Sequence, residues 1–229
     1  SSYSVIAGGR WNAINNHSYY SAVLGGTENY IGSGSSEDDF DRTERSEFSV
    51  IAGGAQNNIV KSGWTAILGG TLHKISASHT TAIVGGAGHH ISNSNYTSMG
   101  GGYQNKVQRA ESSFMGGGYQ NKISRAEKSV IAGGGYNTIG LDIDASRDFK
   151  TDYSAIVGGY SNNINQSKYA FIGGGYDMDL SGSHYSAIIG GKTHNVKGSD
   201  DSVIVGGNTN EILSSTGSFI GGGVEMELS

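Results

Sequence analysis

Apolar and polar positions follow a pattern that restarts every 16 residues. Its anchor is a pair of adjacent glycines. Gly8, Gly25, Gly53, Gly69, Gly85, Gly101, Gly117, Gly133, Gly158, Gly174, Gly190, Gly206 and Gly222 open thirteen such pairs, and nine of the successive spacings are 16 residues. The other three spacings are 17, 28 and 25, so two repeats carry insertions of 12 and 9 residues. Two positions before each pair stands an aliphatic residue or methionine, from Ile6, Val23 and Ile51 to Ile220. Six positions after the first glycine stands Ile, Val or Leu, from Ile14, Ile31 and Ile59 to Leu228. Four positions before the pair the residue is Ser or Thr in twelve of the thirteen repeats, Ala170 being the exception.

This pattern predicts strands rather than helices. Ser4-Val5-Ile6-Ala7 is short, β-branched and bounded by glycine, which reads as a strand and a stop. A helix with paired glycines in every repeat would lose roughly 1 kcal/mol at each one. In a coil the same glycines make a tight turn between two short strands. Each repeat therefore reads as a strand, a Gly-Gly turn, a second strand through the aliphatic residue, and a polar return loop. The fold class is all-β: a parallel β-solenoid (β-roll or β-helix) of 16-residue rungs, about thirteen of them, forming one repeat domain over 1–229. Rungs about 4.8 Å apart would give a rod of roughly 60 Å. Asn stands four positions after the first glycine in eight repeats, beginning with Asn12, Asn29 and Asn57. A ladder of stacked amides, in a turn whose left-handed backbone Asn tolerates, is the structural expectation.

The residues three and one before the pair lie on the other strand face from the invariant aliphatic. They are apolar too, and their sizes are traded: Phe114, Phe171 and Phe219 each have glycine two residues on, and Ala66 and Ala187 have Leu68 and Ile189. Such compensation is expected where close packing fixes a volume. A strand buried on both faces needs a partner for the second face, and an identical chain is the simplest one. A homotrimer is expected, with Val5, Leu24, Val50, Leu68, Phe114, Val130, Phe171, Ile189 and Phe219 in its interface. The alternative is a wider coil whose own second layer covers this face.

Composition narrows the choice. Glycine is abundant (39), while proline and cysteine are absent, which excludes collagen, disulfide staples and thiolate metal sites. The net charge of −5 argues against nucleic acid, which needs a basic stripe. No run of 18 apolar residues occurs, so no membrane insertion by a helix of this segment is expected. The chain starts without methionine and shows no capping repeat, so a fragment of a longer fibre is expected.

The Ser-Val-Ile-Ala-Gly-Gly and Ser-Ala-Ile-Val-Gly-Gly units resemble the head repeats of trimeric autotransporter adhesins of the YadA type. The Gly-Gly-Gly-Tyr-Gln-Asn runs at Gly100–Asn105 and Gly116–Asn121 are similar to repeats of phage and virus tail fibres. The resemblance covers the chain outside its two insertions, although the 16-residue period is longer than that of the adhesin heads. It implies three associated β-rolls on an extracellular structure, a virion fibre or a bacterial surface, that attaches to a host receptor or surface glycan.

Candidate contact residues follow. The first insertion, within 33–46, carries Asp38, Asp39 and Asp41; the second, within 141–152, carries Asp144 and Asp148. Neither has the spacing of a calcium loop, so solvated or bracing loops are expected, with no metal. One aromatic column precedes the Ser/Thr position (Tyr3, Tyr20, Phe48, Trp64, Tyr96, Tyr153, Tyr169, Tyr185) and reads as a packing ladder. A second set, Tyr103, Tyr119, Tyr160 and Tyr176, follows the turn and is expected to be the more exposed, able to stack on sugar rings. His73, His89 and His194 fall in the asparagine column and read as hydrogen-bonding substitutes. There is no phosphate loop, nucleophile elbow or zinc-protease motif, so neither a catalytic residue nor a cofactor is expected. The function expected is a structural and attachment fibre. The rivals are a polysaccharide-degrading tailspike-like enzyme and an ice-binding solenoid.

Overall fold

The computed structural model describes residues 3–15, 17–33, 45–141 and 151–229, and the described residues contain no helix. They group into two compact units, Ser1–Glu111 and Ser112–Ser229. Each is a parallel β-solenoid built from the same turn.

In the first unit the strands that lead into the Gly-Gly pairs are Val5–Ile6, Ala22–Val23, Val50–Ile51, Ala66–Ile67, Ala82–Ile83 and Ser98–Met99. They pair in parallel, with Val5 opposite Ala22 and Ile6 opposite Val23, and the same register repeats at each step. The strands after the glycines, from Ala13–Ile14 and Tyr30–Gly32 to Lys106–Gln108, form a second parallel sheet. The second unit repeats this with leading strands from Phe114–Met115 to Phe219–Ile220 and trailing strands from Lys122–Ser124 to Glu227–Leu228. Six turns and then seven agree with the thirteen repeats.

Both invariant aliphatic columns point into the coil. Ile51, Ile59, Ile67, Ile75, Ile131, Ile139, Ile188 and Val196 are all fully buried. Most of the rest of the interior is polar, with Ala110, Ala126, Ala170 and Met178 as exceptions. The strands are only two or three residues long, so many buried backbone groups need partners outside a regular ladder. Side chains supply them. The Ser/Thr hydroxyls before the glycines accept the N–H of the equivalent residue one turn on, as Ser113 Oγ does from Ser129 at 3.2 Å and Ser186 Oγ from Ser202 at 3.0 Å. A second column of small residues, three positions earlier, does the same: Ser62, Ser78 and Ser94 in one unit and Ser167, Ser183 and Ser199 in the other, at 2.9–3.2 Å. Each of these hydroxyls also donates to the carbonyl two residues before it.

The asparagines differ from expectation in two ways. They bond backbone, not each other's amides. Asn57 Nδ2 donates to the carbonyls of Gly53 and Gly70 at 3.1 and 3.0 Å, and its Oδ1 accepts from the N–H of His73 at 3.1 Å. Nor do they take the left-handed conformation. That falls one residue earlier, at Gln56 (φ 56°) in this turn. The reason is that the amide must reach back across the turn, so the chain bends before it. The regular turn has four positive-φ corners, here Gly54 (91°), Gln56, Lys61 (52°) and Trp64 (57°). The expected return loop is thus a cornered side of the coil, held by backbone bonds such as Lys61 N–H to Gly32 and Trp64 N–H to Glu47.

The two glycines of each pair do different work. At the second, φ is 85–119° throughout; at Gly9, Gly26, Gly54, Gly118, Gly134, Gly159 and Gly207 a Cβ would collide with the glycine carbonyl oxygen of the next turn and with the Asn amide, and at Gly70, Gly86 and Gly191 with that oxygen and a His ring. At the first, a Cβ would meet nothing within 4 Å in nine turns: Gly8, Gly25, Gly53, Gly69, Gly85, Gly133, Gly158, Gly190 and Gly206. None of those nine has a positive φ. The single coil accounts for the second glycine and leaves the first unexplained.

Candidate functional site

The outer face of the leading strands is apolar and open. Leu68 is 52% exposed and Ile189 46%, and Val5, Leu24, Phe114, Val130, Phe171 and Phe219 are likewise exposed, while Val50 is half-buried. No second layer covers them among the described residues, which removes the wider-coil alternative. Part of the size compensation is internal. The Phe171 ring reaches across Gly173, where a Cβ would lie 3.3 Å from Cε1, and Phe219 covers Gly221 at the same separation. The large-small trade therefore keeps this face level, with the first-glycine column alongside it.

Aromatic residues form ladders at a corner of the coil. Tyr3, Tyr20, Phe48 and Trp64 stack in sequence with ring centroids 5.4, 5.0 and 4.3 Å apart. Tyr153, Tyr169 and Tyr185 stack at 4.9 Å. Lys128 Nζ caps the latter over the Tyr153 ring at 4.7 Å and donates to its hydroxyl at 2.8 Å. This bond raises the Lys128 pKa. The packing-ladder expectation agrees with this geometry, and each ring hides the faces of its neighbours.

No protein-family model matches the chain, and neither does any curated protein.

In the second unit Tyr119, Tyr160 and Tyr176 are brought together, and Tyr136, which sequence reasoning missed, completes the group. Tyr136 lies between Tyr119 and Tyr160 with centroids 5.2 and 5.1 Å away and planes tilted by about 60°; Tyr160 and Tyr176 stack at 5.8 Å. A hydrogen bond with Tyr119 raises the Tyr136 pKa. Gly135 occupies the usual tyrosine position in that turn and displaces the ring by one residue. A scan of both positions after each pair would have found it. Tyr103 belongs to the first unit, where Ala87 precedes it in the column. These tyrosines are no more exposed than the first aromatic column, contrary to expectation: Tyr103, Tyr119, Tyr160 and Tyr176 each pair in parallel with a neighbouring turn, whereas the first column sits at a positive-φ corner. Asp38, Asp39, Asp41, Asp144 and Asp148 lie outside the described residues. Among the described residues, no three His, Asp or Glu side chains gather as a metal-ligand set.

His73, His89 and His194 take the asparagine role in part. Nδ1 of His73 accepts the N–H of His89 at 3.2 Å, and Nδ1 of His89 accepts that of Asn105 at 3.2 Å. The two rings stack at 4.9 Å. Nδ1 as acceptor leaves the proton on Nε2, which is buried beside glycine carbonyls without a well-formed hydrogen bond. Burial, and then the neighbouring His89, lower the His73 pKa from 6.5 to about 4. Burial also lowers those of His89 and His194, and that of His90 with help from Lys74 and Lys106. Between about pH 4 and 6.5 the unfolded chain binds more protons than the folded one. Stability is therefore complete above pH 6.5 and falls as pH drops toward 4. The double variant His73→Asn/His89→Asn restores both amide donors and removes both imidazoles. Urea unfolding at pH 7.5 and 4.5 should show it flatter with pH, exceeding the parent at the lower pH by about 1–3 kcal/mol.

Proposed function

We propose that this chain is a repeat segment of a homotrimeric extracellular fibre, on a virion or a bacterial surface, that provides length and presents surfaces to a host receptor or glycan. It does this by binding and not by catalysis, without a cofactor, and neither nucleic acid nor membrane is its partner. The observation that carries this reading is the open apolar face of the leading strands together with a first glycine that, in nine turns, has room for a side chain and carries none. Apolar patches of this continuity mark interaction surfaces. A glycine with no neighbour of its own chain is explained by the close approach of a backbone from another. Identical turns suit identical neighbours, since symmetric association repeats one contact along the whole array. The resemblance to adhesin heads and tail-fibre repeats supports three copies.

Light scattering of the purified chain tests this. A trimer has a mass of about 71 kDa, three times the 23.8 kDa of one chain. A stable particle of 23.8 kDa would refute the proposal.

A further inference from the structure

The aromatic column of the first unit has a gap. Its members run Phe48, Trp64, Thr80, Tyr96, each at the same positive-φ corner (52°, 57°, 53° and 53°). Their backbone N–H groups bond the preceding turn in the same way: Trp64 to Glu47, Thr80 to Gly63 and Tyr96 to His79. Phe48 covers one face of Trp64. The other face looks across Thr80 toward Tyr96. Exposure follows from this: Phe48, with a ring on each side, is 38% exposed, while Trp64 and Tyr96 are 64% and 63%.

Rings one turn apart in this column lie 4.3–5.4 Å from each other. Two turns therefore separate Trp64 from Tyr96 by roughly 10 Å. That is too wide for the rings to touch, and too wide for one flat aromatic guest, which needs about 7–8 Å for two van der Waals contacts. A puckered pyranose ring, with C–H bonds on both faces, needs about 8–9 Å on the same count and comes nearer to filling the gap.

The surroundings are polar. Thr80 and His79 are exposed at the floor, and the His79 ring lies over Gly63, its Cδ2 3.2 Å from where a Cβ would be. Asn95 uses Oδ1 to accept the His79 N–H at 2.9 Å. Its Nδ2 makes no protein hydrogen bond among the described residues and is left for a ligand hydroxyl.

From this geometry we infer that the Trp64–Thr80–Tyr96 gap is a saccharide subsite, taking one pyranose ring between the Trp64 and Tyr96 faces, with Thr80, His79 and Asn95 facing its hydroxyls. The inference rests on the attachment reading and narrows it to one place. The stacked ladders cannot offer the same contact, because their ring faces are already covered.

The chain has two tryptophans, so Trp11→Phe leaves Trp64 as the sole reporter. Its fluorescence is followed while methyl β-glucopyranoside, methyl β-galactopyranoside and their 2-acetamido counterparts are added singly. At least one should give a saturable change with a Kd on the order of millimolar. Thr80→Tyr, which completes the ladder and fills the gap, should abolish the change and raise the melting temperature. Tyr96→Ala should weaken binding at least tenfold. Tyr185→Ala, at a ladder end in the second unit, should leave it unaltered. No saturable response to any of the four sugars, or a response that survives Thr80→Tyr, overturns the subsite. A trimeric mass with a silent Trp64 fails the subsite alone, while a monomer that still responds fails the fibre reading alone.

Discussion

Gly54→Ala should cost about 3–5 kcal/mol of unfolding free energy, against less than about 1 kcal/mol for Gly53→Ala in an isolated coil. The contrast arises from one residue's shift along the chain. At Gly54 the backbone holds φ at 91°, and the added methyl runs into the Gly70 carbonyl oxygen of the next turn and the Asn57 amide. Neither can yield. The carbonyl accepts both the Ala55 N–H at 3.0 Å and the Asn57 amide at 3.0 Å, so moving it breaks two bonds besides straining a left-handed residue. At Gly53 the methyl enters empty space. Thermal or urea unfolding of the two variants, in conditions that keep the chain dissociated, measures the difference directly. Equal losses would mean that the turn does not have the geometry described.

The same Gly53 column should behave in the opposite way in assembly. If the chain assembles as the proposed trimer, the triple variant Gly53→Ala/Gly69→Ala/Gly85→Ala should keep the β-sheet circular dichroism of the parent and lose the trimeric mass. Leu68→Asp and Ile189→Lys do likewise by placing a charge on the exposed face of the leading strands. A charge stranded in an apolar contact costs several kcal/mol, so dissociation constants should rise by a factor of about 10³ or more. Analytical ultracentrifugation across concentrations reads this out. If these variants associate like the parent, the apolar face is not where chains meet.

Much of this architecture is legible in the residues. Ile51 and Ile59 recur with so little variation that the register of both sheets can be written down in advance. The outward apolar pairs, such as Ala66 with Leu68, identify a face from the residues alone. The rest is hidden for particular reasons. Ser62, Ser78 and Ser94 look like loop residues, because serine is common on surfaces; only a fixed position in successive repeats betrays their burial. Asn57 is visible as a column, but whether an amide bonds its neighbour's amide or its neighbour's backbone depends on where the left-handed residue falls. Tyr136 is disguised by a one-residue offset. The Trp64–Tyr96 gap is a missing ring, and an interruption becomes informative only once the intact ladder around it is known. Asp38, Asp39, Asp41, Asp144 and Asp148 of the two insertions fall outside the described residues, and Gly53 and Gly54 differ only in backbone angle and surroundings, which a single letter does not convey.

In-register stacking of equivalent turns also bears on how such a gene changes length. Tyr103–Glu111 and Tyr119–Glu127 share seven of nine residues, the trace expected of a copied segment. Unequal recombination that adds or removes sixteen codons keeps every surviving side chain opposite its proper counterpart, whereas a change of fifteen or seventeen misaligns all columns beyond it unless the surplus is extruded at a corner. Natural variants of this locus should therefore differ in whole multiples of that unit, so that the number of turns changes in discrete steps while each turn keeps its own shape.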